Sequence, residues 1–249
     1  MFILVYTKLM SWLSKFERFY IEVKQNRWVL WFSYFNRVAL AAGFIPAGFV
    51  KIFDERFASG LSMIHPMGTY LTAFWNTGYY YTFVGVAQVV AAILLLIPRT
   101  VTLGTLLYFP IILNIFILSY AVRFDGSLLT SPLMTLSCIF LLFWNYDRLK
   151  FILPIRDPQP VNLPKPIIYT NRFPLKFFFI SAVSFVLVIA LVFTTNSFLV
   201  MPRNTTSYCN EQFEGTNRSA AGAAFCDCVH NQGQPLDTCL EEYEMAADD

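Results

Sequence analysis

The side chains with the most scope for chemistry lie in two places, one embedded in apolar sequence and one near the carboxyl end. Arg37 interrupts the apolar run 28–50, Lys51 follows at its end, Gln88 stands in the run 79–97 and Asn114 in the run 101–122. A charge inside hydrocarbon costs at least about 2.5 to 3.5 kcal/mol, so Arg37 needs a partner or water. Turned toward one interior, the four would form a polar lining. Arg37 and Lys51 would then donate to an anionic or quinone headgroup, a sulfur oxyanion or a bound lipid. Each residue also has a structural use: Gln88 and Asn114 can hydrogen-bond between helices, Lys51 can reach the headgroups, and Arg37 can anchor the inner end of its helix. No nucleophile–base pair, haem-ligand pair or nucleotide loop accompanies them in the sequence, which therefore assigns neither a reaction nor a catalytic residue.

The second set is sulfur. Four of the five cysteines, Cys209, Cys226, Cys228 and Cys239, lie among polar residues after Pro202. So short an exported segment cannot bury much core, and disulfides are the usual remedy on the oxidising side of a membrane. Cys226 and Cys228 are too close to bridge each other comfortably, so two pairings with Cys209 and Cys239 stand open. The rival is zinc on Cys226, Cys228 and His230 with Cys209 or Cys239; the spacing is not that of a standard finger, and the expectation is disulfides and no metal. A redox-active pair would ordinarily show Cys-x-x-Cys, which the tail lacks. Cys138 reads as a small packing residue and His65, without companion ligands, as an interfacial one. Asn204-Thr205-Thr206 and Asn217-Arg218-Ser219 match the glycosylation acceptor pattern, which matters only in a eukaryotic secretory pathway.

Apolar helices must position these groups. Of 249 residues, 56% are hydrophobic and 14% charged, whereas a soluble domain carries charge on about a quarter. The net charge of +2 gives no reason for a nucleic-acid partner. A bilayer core needs about 20 apolar residues per helix, and the runs 28–50, 79–97, 101–122, 128–144 and 177–200 approach or exceed that length. The expected fold is all-α and integral to the membrane. Lys8, Lys15, Arg18, Lys24, Arg27, Arg99, Arg148, Lys150, Arg156, Lys165, Arg172 and Lys176 fall on one side of these spans. Lys51, Arg56, Arg123, Arg203 and Arg218 fall on the other. Positive loops stay in the cytoplasm, so the amino end is expected inside and the tail outside.

The flanking segments have their own patterns. Phe2, Val5, Leu9, Trp12, Phe16, Phe19 and Val23 recur every three or four residues, opposite Lys8, Ser11, Lys15, Arg18, Glu22 and Gln25. This predicts an amphipathic helix that lies on the membrane or docks a partner. It lacks the basic start and cleavage site of a signal peptide, so it is expected to be retained. Pro154, Pro158, Pro160, Pro164 and Pro166 make 147–173 an extended linker. The loop 53–77 predicts a short helix on the outer surface, and 219–230 with 236–244 a stapled helical hairpin.

Asn36-Arg37, Gly43, Pro46, Ala47-Gly48 and Lys51 in the first run, Gly85 to Gln88 and Pro98-Arg99 in the second, and Leu103-Gly104, Pro110 and Asn114 in the third carry a likeness. Over residues 36–149 the chain resembles the DoxX family of four-helix membrane proteins. That resemblance implies a four-helix bundle and, more loosely, a function. The family includes a quinone-linked subunit of thiosulfate oxidation, members of a thiol-oxidant detoxification complex, and an animal relative that helps assemble receptors.

The expected organisation is an amphipathic helix at 1–27, a DoxX-like bundle at 28–150, a cytoplasmic linker at 151–173, a fifth span at 174–201 and an outer tail at 202–249. The expected function is an accessory or assembly subunit of a larger complex in a bacterial inner membrane, whose surface helix and tail bind membrane or periplasmic subunits. The alternative is a component of a quinone-linked oxidoreductase with a polar site inside the bundle.

Overall fold

The computed structural model describes residues 16–152 and 168–248. Residues 16–24 form the helix α1, and Asn26 starts α2 (Arg27–Ile52) by accepting from the amides of Trp28 at 2.9 Å and Val29 at 3.4 Å. A helix start otherwise leaves those donors unpaired. Then follow α3 (Pro66–Trp75), α4 (Tyr79–Leu96), α5 (Val101–Ala121), α6 (Thr130–Trp144), the single turn α7 (Tyr146–Leu149) and α8 (Leu175–Phe198). The tail holds α9 (Thr206–Glu211), α10 (Ser219–Asp227), the π-helical turn Cys228–Gln232 and α11 (Leu236–Met245). Among the described residues the one β pairing is the isolated bridge between Asn26 and Thr170.

Four helices, α2, α4, α5 and α8, are long and apolar enough to cross a membrane. α6 is apolar too but has only 15 residues. α2 packs along α4, α4 along α5, α5 along α6, and α6 returns to α2. The shared core contains Leu40, Phe44, Ala91, Leu95, Tyr108, Ile112, Cys138 and Leu141. Phe44 stacks on Tyr108 with ring centroids 3.5 Å apart. Small residues set the spacing between α2 and α4. A Cβ on Gly48 would stand 2.6 Å from Val89 Cγ2 and 2.8 Å from the Gly85 carbonyl oxygen, and one on Gly85 would stand 2.7 Å from the Gly48 carbonyl oxygen. Helices in lipid gain little from burying apolar surface against each other, so close backbone contact replaces that drive.

α8 is held differently. Only Val192 is buried in it, and it touches the bundle near its ends: Phe177 lies 5.7 Å from Phe140, and Val192 joins Leu128 and Met201. It therefore starts at the end of the bundle where α2 begins and finishes at the end where α5 turns into α6. The tail consequently sits at the opposite end from α1.

Two flanking segments are described in part. Of the apolar stripe, Val23 is buried against Trp144 and Val29, Phe16 is half-buried and Phe19 is exposed, while Tyr20 beside the stripe is buried; Phe16 and Tyr20 meet Phe143 and Tyr146 edge-on. Tyr20 Oη donates to Asp147 Oδ1 at 2.6 Å, and Lys24 Nζ pairs with the same oxygen at 3.4 Å. The first half of the stripe lies outside the described residues. The linker at 147–173 begins with helix, α7, because no proline occurs before Pro154. Its proline-rich stretch 153–167 is also outside the described residues.

Candidate functional site

The four polar residues of the apolar runs do not converge. Arg37 is buried on α2. Its Nε donates to the Leu95 carbonyl at 2.6 Å and its Nη2 to the Leu96 carbonyl at 2.8 Å. Those are carbonyls of the last turn of α4, which a helix end leaves without donors. The guanidinium also lies 5.0 Å over the Tyr34 ring. The placement has a geometric cause: α2 has 26 residues and α4 only 18, so α4 stops beside Arg37 while α2 runs on. The arginine caps a neighbouring helix from within the apolar run.

Lys51 is 14 positions further along α2, roughly 21 Å at 1.5 Å per residue. It is buried, its Nζ donates to the Ala47 carbonyl at 2.9 Å and it sits 4.5 Å over the Phe57 ring. Among the described residues it has no carboxylate partner. Gln88 lies one turn below Gly85, whose added Cβ would meet Lys51 Cβ. Gln88 is buried, and its Oε1 has no hydrogen-bond partner among the described residues. Lys51 and Gln88 therefore share one half of the α2–α4 pair. Asn114 is exposed on α5.

The tail is a compact cap. Disulfides join Cys209 to Cys226 and Cys228 to Cys239, each with Cα atoms 5.8 Å apart. This selects one of the two open pairings and leaves those sulfurs no thiolate for zinc. Among the described residues no group of three or more His, Cys, Asp or Glu is placed to hold a metal. Phe213, Phe225, Val229 and Leu236 surround the bridges. Gly222 gives the Phe213 ring its room, since a Cβ there would lie 2.1 Å from the ring.

Polar contacts seat this cap on the bundle. Arg203 Nη1 donates to both Asp125 oxygens at 3.2 Å, Arg123 Nη1 donates to the Val200 carbonyl at 2.5 Å, and Met201 is buried with Leu128. At the same junction the chain's two histidines meet, with ring centroids 5.7 Å apart. His65 Nδ1 accepts the Met67 amide at 3.1 Å, which makes it the N-cap of α3. His230 Nε2 lies 2.7 Å from the Pro202 carbonyl oxygen. Burial, followed by the neighbouring His230, pushes His65 down to about 4, with only the backbone of Arg203 opposing. Reading each histidine by its sequence neighbours missed this pair; the signal available was that the only two histidines both fall on the same predicted side of the membrane.

The class these features define is a helical membrane bundle closed at one end by a disulfide-stapled cap. The chain is 36% identical over 131 residues to the uncharacterized protein YwoB of Bacillus subtilis (strain 168), an alignment covering 51% of this chain and 82% of that protein. The chain belongs to the same family as that protein. No protein-family profile and no solved structure matches it.

Proposed function

We propose that this chain is a DoxX-like accessory or assembly subunit of a larger complex in a bacterial inner membrane. In this reading α6 crosses with the other four long helices, the amino end is cytoplasmic, and the cap faces the periplasm, where it engages a partner subunit. The observation that carries the reading is the firm seating of the cap: two disulfides hold the small module folded, and the Arg203–Asp125 pair and the His65–His230 contact hold it at one end of the bundle. A module fixed in this way presents a rigid surface, which lowers the ordering cost of binding. The engagement of Arg37 with helix-end carbonyls also supports it, because that cation is already used in packing.

The test is purification of the full chain in mild detergent after cross-linking in the native membrane. A partner should be recovered in fixed ratio with the wild type and lost from Cys226→Ser/Cys228→Ser, which should still be extracted from the membrane. A lone, uncross-linked wild-type species would count against the proposal. One observation favours the second reading, a quinone or anion site in a quinone-linked oxidoreductase: Lys51 and Gln88 are buried together with the Gln88 oxygen unpartnered. Retention of a quinone by the purified wild type, and its loss in Lys51→Met, would support that alternative.

A further inference from the structure

A cleft of about 350 Å³ opens at the α1 end, lined by Arg27, Leu30, Trp31, Tyr34, Tyr169 and Asn171. Its walls are tied together by hydrogen bonds. The chain returning toward α8 is clamped to the start of α2: the Arg27 amide donates to the Thr170 carbonyl at 3.1 Å and the Thr170 amide to the Gln25 carbonyl at 2.8 Å. Asn26 Nδ2 donates to the Arg172 carbonyl at 2.8 Å and Trp28 Nε1 to the Asn171 carbonyl at 3.2 Å. The Trp28 ring packs edge-on against Phe173 at 5.7 Å.

The chemistry of this cleft is that of an amphiphile site. Arg27 is its only charged lining residue, and the guanidinium has no carboxylate partner among the described residues. Arg172 and Lys176, both exposed, follow on the returning chain. Trp31, Tyr34 and Tyr169 offer apolar ring faces with polar edges, the type of side chain that sits at the headgroup level. From the cleft an exposed stripe runs along α2 through Trp31 at 61%, Phe35 at 66% and Val38 at 58% exposure. The spacing i, i+4, i+7 keeps these on one helix face. A cationic mouth thus continues into an apolar track.

We propose that this cleft holds the headgroup of an anionic phospholipid. Arg27 donates in fork geometry to the phosphate, as guanidinium does to oxyanions. The rings of Trp31, Tyr34 and Tyr169 flank the glycerol, and an acyl chain lies along Trp31, Phe35 and Val38. The volume lies within the range of specific small-molecule sites. The inference rests on the reading that the apolar helices lie in a bilayer.

The test is native mass spectrometry of the full chain in detergent, offered equal amounts of phosphatidylglycerol and phosphatidylcholine. The first bound lipid should favour phosphatidylglycerol by about fivefold or more, of the order one charge-assisted contact supplies. Arg27→Gln should bring that ratio to near unity, while Arg99→Gln, at the same end of the bundle but outside the cleft, should keep it. Excess inorganic phosphate should leave the lipid bound. Equal binding of the two lipids, a preference unchanged in Arg27→Gln, or displacement by phosphate would overturn the proposal. Recovery of the protein in the soluble fraction without detergent would instead overturn the membrane reading beneath it.

Discussion

At the α2–α4 seam, Gly48 and Gly85 let two backbones touch, and no covalent link is needed to keep them together. In the cap, three short helices carry a core of a few apolar residues, and two disulfides hold them. The two regions answer to different solvents. Between helices in lipid the hydrophobic drive is small and the gain comes from close packing. In a segment this short facing water the drive exists but the area to use it does not, so the unfolded chain must be constrained instead.

The largest effect is expected at the cap. Cys226→Ser/Cys228→Ser removes both bridges and should cost the cap about 2–5 kcal/mol. Hydrogen exchange should show 206–245 opened while α2 and α4 stay protected; equal protection in both proteins would mean the bridges are incidental. Gly48→Leu should act on the other region, costing about 1–3 kcal/mol through overpacking against Val89 and Gly85. Thermal unfolding in detergent should fall for this variant, with the cap disulfides still formed.

A pH titration probes the junction between the two. Docked, His65 is held down to about 4 by burial and by His230, with Phe124 and Arg203 the other groups facing it. Undocked and solvated it would return to its ordinary value near 6.5. The undocked state therefore takes up the extra proton, so the seating is fully present above about pH 6.5 and weakens as pH falls toward 4, by about 3 kcal/mol. Exchange of the 200–204 amides should quicken over that interval in the wild type. His65→Asn, which can still cap α3, should flatten the dependence. The smallest effect is expected at Asn114→Leu: the side chain is exposed, and stability should move by less than about 0.5 kcal/mol. A larger loss in thermal unfolding would mean that the Asn114 side chain makes a stabilising contact.

The helices were legible because their causes are local. Apolar runs bounded by Asn26, Gly78, Pro98 and Pro174 give ends within about two residues of those found. The tail hairpin was legible for the same reason, its two helical segments being separated by Gly233 and Pro235. What the sequence did not disclose depends on which elements end beside which. Arg37 became a cap because α4 is shorter than α2, and α1 packs Tyr20 and Val23 onto α6 and α7 while Phe19 stays exposed. The pairing of Cys209 with Cys226 likewise depends on how α9 crosses α10, a relation that spacing alone leaves open.

If α6 completes an odd number of crossings, as proposed, it delivers an oxidised cap to the side opposite the amino end. In intact cells, an impermeant maleimide should label the tail cysteines only after treatment with an impermeant reductant, and should reach a cysteine added at the amino end only after permeabilisation. Tail thiols that are labelled without reductant, and only after permeabilisation, would contradict it.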